Sequence, residues 1–129
     1  MLGTDPTIHG LRVLVVEDHP RLAQLMKYQL GLLGCTPVDA VHSADDARNV
    51  LSRDRVDLVL LDAHLADGPA YEFAAELCAR HVHVLLSTGA DDLAIPIAHR
   101  DIPRLTKPYT EEELARELVQ VVSRARSTS

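Results

Sequence analysis

The chain has no tryptophan and only one phenylalanine and three tyrosines among its 129 residues. Its core must therefore be aliphatic, and the material is there, because 47% of the residues are hydrophobic. That richness excludes an intrinsically disordered chain. Cysteine is scarce as well. Cys35 and Cys78 cannot make a disulfide framework and read as reduced core thiols, which points to a cytoplasmic protein. Residues 1–10 lack the basic start and apolar middle of a signal peptide. The longest apolar runs, such as Val56–Leu61 broken by Asp57, fall far short of the ~18 residues of a bilayer span, so no membrane insertion is expected. Clustered Lys and Arg are missing too. With a net charge of -6, direct binding of nucleic acid is not expected.

What is present alternates between two patterns. Leu11–Val16, Val56–Leu61 and Val82–Leu86 are short, nearly continuous aliphatic runs, as in strands buried on both faces of a parallel sheet. Val38–Val41 and Pro103–Thr106 are weaker strands, the latter an edge because of Pro103 and Arg104. Helical periods lie between them. Pro20 at a first helical position, then Leu22, Leu25, Met26, Leu30 and Leu33, and Gly34 as a stop, mark the first. Ser43 caps a second with Ala44, Ala47, Val50 and Leu51 on its apolar face. Gly68 and Pro69 open a third that turns Phe73, Leu77 and Cys78 inward. Thr110 and Glu113 form a capping box for the last, which carries Leu114, Leu118, Val121 and Val122. Arg124 and Arg126 in its final turn complement the helix dipole. The segment from Asp91 to His99 is short, contains Pro96 and makes a weak helix at best. The alternation predicts an α/β fold with a doubly wound, five-stranded parallel sheet, occupying residues 11–126 between tails at 1–10 and 127–129.

In such sheets ligands bind beyond the carboxyl ends of the strands. The first strand here runs out into Glu17 and Asp18, the third into Asp62, the fourth into Ser87, Thr88 and Gly89, and the fifth into Lys107 and Pro108. Three carboxylates crowded together repel one another unless a hard cation or an ammonium group compensates. Oxygen donors of this kind suit magnesium, and Lys107 adds a fixed positive charge.

Acid pair, strand-end Asp, Thr followed by Gly, and Lys-Pro occur once each and in that order. On Val13-Leu-Val-Val-Glu-Asp18, Leu60-Leu-Asp62-Ala-His-Leu-Ala-Asp-Gly68, Leu86-Ser-Thr88-Gly89 and Thr106-Lys107-Pro108-Tyr109, the sequence resembles the receiver domain of two-component response regulators over about residues 11–125. The resemblance implies a flavodoxin-like, three-layer sandwich with strand order 2-1-3-4-5. It implies that Asp62 accepts a phosphoryl group from a histidine kinase or a histidine phosphotransfer protein. Magnesium would be held by Asp18 and Asp62, by Glu17 through water and by the backbone carbonyl of His64. Thr88 would donate its hydroxyl to a phosphoryl oxygen, Gly89 would leave the group room, and Lys107 would complete an electrostatic clamp. A cis Lys107-Pro108 bond is implied as well. The protein would be no enzyme on a separate substrate; it would assist only its own phosphorylation and dephosphorylation, and would signal to a downstream protein by a change of shape.

Three features depart from the commonest receiver pattern. The stretch between Thr88 and Lys107 is short, Arg104 stands where many receivers carry a rotating Tyr or Phe, and a stand-alone domain without a fused output module is expected. They resemble single-domain receivers that work with non-orthodox kinases. Arg104 and Tyr109 are expected on a partner-binding face, with residues 89–100 as the switching segment. Two other readings remain open: a phosphorylation-independent pseudo-receiver that binds a partner, and a flavodoxin-like cofactor enzyme. The intact set of Asp18, Asp62, Thr88 and Lys107 opposes the first, and Glu17-Asp18 where a flavin phosphate would sit opposes the second. His64, at the mouth of the site, could orient hydrolytic water. His81 and His83 share a strand face without acidic or thiol neighbours in sequence, His9, His42 and His99 read as surface, and His19 orients the first turn of a helix.

Overall fold

In the computed structural model residues 5–65, 68–89 and 101–127 are described, with side chains to residue 124. Five parallel strands form the sheet: β1 (Arg12–Val16), β2 (Thr36–Val41), β3 (Leu58–Asp62), β6 (His83–Thr88) and β7 (Arg104–Thr106), in the order β2-β1-β3-β6-β7. A two-residue ladder, β4 (His64–Leu65) with β5 (Gly68–Pro69), stands apart from it. Counted without that ladder, the order is the expected 2-1-3-4-5.

Each central strand is apolar on both faces because a helical layer covers each face. Val13 and Val15, Leu58 and Leu60, and Leu85 pack into one cluster with Met26 and Leu30 of α1 (Pro20–Leu32) and Leu114 and Leu118 of α4 (Glu111–Ser127). Their alternates Leu14 and Val16, Val59 and Leu61, and Val84 and Leu86 join Ala47 and Val50 of α2 (Ala44–Arg53) and Phe73 and Leu77 of α3 (Tyr71–Ala79) on the other side. This is the three-layer sandwich. None of the helices among the described residues is long and apolar enough to cross a membrane.

The caps follow local chemistry. His19 Nδ1 accepts from the Leu22 N–H at 3.3 Å, with Pro20 opening α1, and Gly34 leaves the helix at φ +86°. Ser43 Oγ accepts from Asp46 N–H at 3.1 Å. Thr110 and Glu113 close a reciprocal capping box at 3.1 and 3.0 Å.

Four expectations are corrected. Gly68 and Pro69 do not begin α3: they pair with His64 and Leu65, and the helix starts at Tyr71 without a side-chain cap. Cys78 is exposed, while Cys35 is buried. Leu25 of α1 is 49% exposed, because the layer it was matched to needs only a narrow stripe of that helix. Residues 5–10 are no loose tail; they turn back onto the α1/α4 layer, where Ile8 is 1% exposed. The 89–100 segment lies, beyond Gly89, outside the described residues, as does His99.

Candidate functional site

The acidic residues converge because parallel strands end together. Glu17 leaves β1 with its N–H on the Val41 carbonyl at 3.0 Å, and the residue is sealed at 1% exposure. Asp62 ends β3 at 7% exposure, and Asp18 is half-buried beside them. One carboxylate oxygen from each of the three lies within 4.8 Å of the others, the only such group of potential metal ligands among the described residues. An all-oxygen set of three carboxylates fits a hard divalent cation.

Lys107 carries the compensating charge. Its Nζ donates to Glu17 Oε1 at 2.9 Å and stands 3.5 Å from Asp62 Oδ1. Burial works to lower the pKa of this ammonium group, but the Glu17 hydrogen bond and the charges of Asp62 and Glu17 outweigh it and hold it above the usual lysine value. Its backbone is fixed by an N–H bond to the Thr88 carbonyl at 2.6 Å, and the Lys107-Pro108 bond is cis, as the resemblance implied. Thr88 itself is 4% exposed at the end of β6, with Gly89 next to it on the surface.

The loop after Asp62 is anchored at both ends. Asp62 Oδ1 accepts from the His64 N–H at 3.1 Å, and the Ala70 N–H returns to the Ala63 carbonyl at 2.9 Å. The His64 ring is exposed and meets the edge of Tyr71 at 6.3 Å between centroids. His42 and His19 serve the acid pair in ways the sequence did not assign: His42 Nδ1 lies 3.0 Å from the Glu17 carbonyl, and the His19 N–H donates to Glu17 Oε2 at 3.2 Å.

Arg104 and Tyr109 are not brought onto one face. Leu105 belongs to the α1/α4 cluster, so strand alternation sends Arg104 to the opposite side, whereas Tyr109 packs with α1 and α4. Tyr109 flanks an apolar hollow of about 430 Å³ with Leu22, Leu25, Gln29, Lys107 and Pro108. Its phenol is pushed up to about 12 by burial and then by the Glu17 charge. His81 and His83 line a cavity of about 350 Å³ with His9 and Asp57 at the far end of the strands, but their ring nitrogens do not gather as ligands there.

Sequence reasoning gave Ser87 no role. It is fully buried and stands in register with Asp62 across the β3–β6 ladder. A lone hydroxyl within the run Val84–Ser87 was its only signal.

Comparison with known proteins agrees with this geometry. The family model described as the response regulator receiver domain matches residues 13–119. The chain is 31% identical over 121 residues to the response regulator protein PilR of Pseudomonas aeruginosa, covering 90% of this chain and 27% of PilR. It is 30% identical to the phosphate regulon transcriptional regulatory protein PhoB of Escherichia coli, covering 88% of this chain and 52% of PhoB. The chain thus spans about a quarter of one relative and about half of the other. The solution structure of SdrG from Sphingomonas melonis Fr1 superposes with a TM-score of 0.76 at 28% identity, covering 92% of this chain and 99% of SdrG.

Proposed function

The chain belongs to the response regulator receiver domain family, and from that premise we propose that it takes a phosphoryl group onto Asp62 from a phosphohistidine of a histidine kinase or a histidine phosphotransfer protein. The observation that carries this reading is the buried Asp62 carboxylate, grouped with Glu17 and Asp18 and facing the ammonium group of Lys107. A carboxylate oxygen of Asp62 attacks phosphorus, the bond from phosphorus to the imidazole nitrogen breaks, and the electron pair stays on the histidine ring. Charge, not covalent chemistry, sets the barrier of such a transfer.

Asp18 and Asp62, Glu17 through water and the His64 backbone carbonyl would hold magnesium, whose bound charge neutralises the incoming phosphoryl oxygens. Lys107 turns from Glu17 to a phosphoryl oxygen, and the Thr88 hydroxyl donates to another. Gly89 adds no side chain to obstruct the group. The new charge then biases the surface toward a second arrangement that a downstream protein recognises. On this reading the protein promotes only its own phosphorylation and dephosphorylation. His64 borders the path of the hydrolytic water, and a pseudo-receiver would have no use for so complete a set.

The test is incubation with acetyl phosphate and magnesium, followed by intact and peptide mass spectrometry. One phosphoryl group is expected, on the peptide containing Asp62, and none in Asp62→Asn or after chelation with EDTA. Equal labelling of the Asn variant rejects the assignment.

A further inference from the structure

Two hydroxyls are sealed from solvent without a hydrogen-bond partner among the described residues: Ser87 Oγ and Tyr109 OH. A buried hydroxyl bonded to nothing is unfavourable, so a partner in another state of the molecule is the first explanation to seek. Tyr109 lies toward Glu17, but Ser87 lies beside the reacting group. Asp62 and Ser87 are paired residues of adjacent strands. Paired residues project to the same face about 5 Å apart. Leu60 and Leu85, two residues back on each strand, share the α1/α4 cluster and confirm that common face. That pairing and common face make the Asp62 carboxyl the polar group next to Ser87 on the neighbouring strand. In this structure a hydrogen bond between the two is not made, and Asp62 Oδ1 accepts from His64 N–H and faces Lys107.

We infer that Ser87 donates a hydrogen bond to the carboxyl group of phosphorylated Asp62 and thereby shortens the life of the acyl phosphate. The inference rests on Asp62 as the phospho-acceptor. In hydrolysis a water oxygen bonds to phosphorus while the bond from phosphorus to the Asp62 oxygen breaks. The electron pair returns to the carboxylate, and the protons of water leave with inorganic phosphate and the solvent. Negative charge therefore grows on the carboxyl group as the old bond lengthens. A donor aimed at that group stabilises the departing carboxylate more than the acyl phosphate and speeds cleavage. One neutral donor of this kind changes the rate by about three- to tenfold. Because Ser87 is fully buried, water cannot replace it in the role.

The experiment follows the decay of protein phosphorylated by acetyl phosphate, after the donor is removed, in wild type, Ser87→Ala and Ser87→Thr. The Ala variant should hold its phosphoryl group about three- to tenfold longer, and the Thr variant, which keeps the hydroxyl, should decay within twofold of wild type. Unphosphorylated Ser87→Ala should melt at or above the wild-type temperature, since it loses a group that was bonded to nothing; a merely structural serine would not lengthen the decay. If Ser87→Ala does not fold, Ser87→Cys, with its weak donor, replaces it and should decay more slowly than wild type. An unchanged or shortened lifetime, or a Thr variant that behaves like Ala, overturns the inference alone. Wild type that takes up no label overturns the Asp62 reading and this inference with it.

Discussion

Burial separates two residues of the same type in this chain. Cys35 sits under the α1 layer, and burial pushes its thiol up to about 11. Cys78 is exposed at the end of α3, and its thiol is raised by partial burial and then by Asp101. Native protein at pH 8 should therefore react with Ellman's reagent at Cys78 alone, with the second equivalent appearing only in denaturant; two fast equivalents would contradict the burial of Cys35. The same shift has a pH sign. The folded state holds the Cys35 proton more tightly than the unfolded state, whose thiol titrates near 9.0. Its contribution is complete below pH 9 and is lost as pH rises from about 9 to about 11. Cys35→Ala should flatten that part of the stability curve.

Among the elements, α2 and α3 are joined by one side chain. The Arg48 guanidinium forks onto Glu76 at 2.9 and 3.0 Å, reaches Asp45 at 2.8 Å and lies 4.9 Å from the centre of the Phe73 ring. A planar fork makes this set, and an ammonium group does not. Both partners are partly open to water, at 41% and 38% side-chain exposure, so screening keeps the contribution small. Arg48→Lys should lower stability by about 0.5–1 kcal/mol, read as a shift of the urea midpoint at constant slope. No shift would mean that water replaces the clamp without loss. The helix starts at Pro20, Ser43 and Thr110 were legible in the sequence because a cap involves residues two or three apart. The start of α3 was not. Gly68 and Pro69 have the chemistry of a helix opening, yet the loop that returns to Ala63 uses them as the far side of a two-residue ladder.

Across the whole molecule a net charge of -6 has its sharpest local expression in Glu17, Asp18 and Asp62, where Lys107 meets two of the three carboxylates. A cation that binds only this folded arrangement stabilises the protein by mass action. Magnesium at ten times its dissociation constant should add about 1.4 kcal/mol and raise the melting temperature by roughly 5 °C. Asp18→Asn should lose most of that response, and a wild-type melting curve indifferent to 10 mM magnesium would remove the cluster as a cation site.

The sequence by itself determined the architecture and the end of the sheet at which Glu17, Asp18 and Asp62 gather. Three aliphatic runs too short for helices could only be central strands, and the residues following them had to lie at one end of a parallel sheet. Those conclusions need only neighbours in the chain. Which residues touch was decided by the tertiary structure. Lys107 bonds Glu17 across 90 positions, Ile8 is covered by the α1/α4 layer while Leu25 is left open, and Ser87 stands beside Asp62 because β3 and β6 pair in one register and no other. Side-chain period says which residues share a face of a strand, but the register of separate strands and the footprint of each covering helix are set by packing the whole core at once.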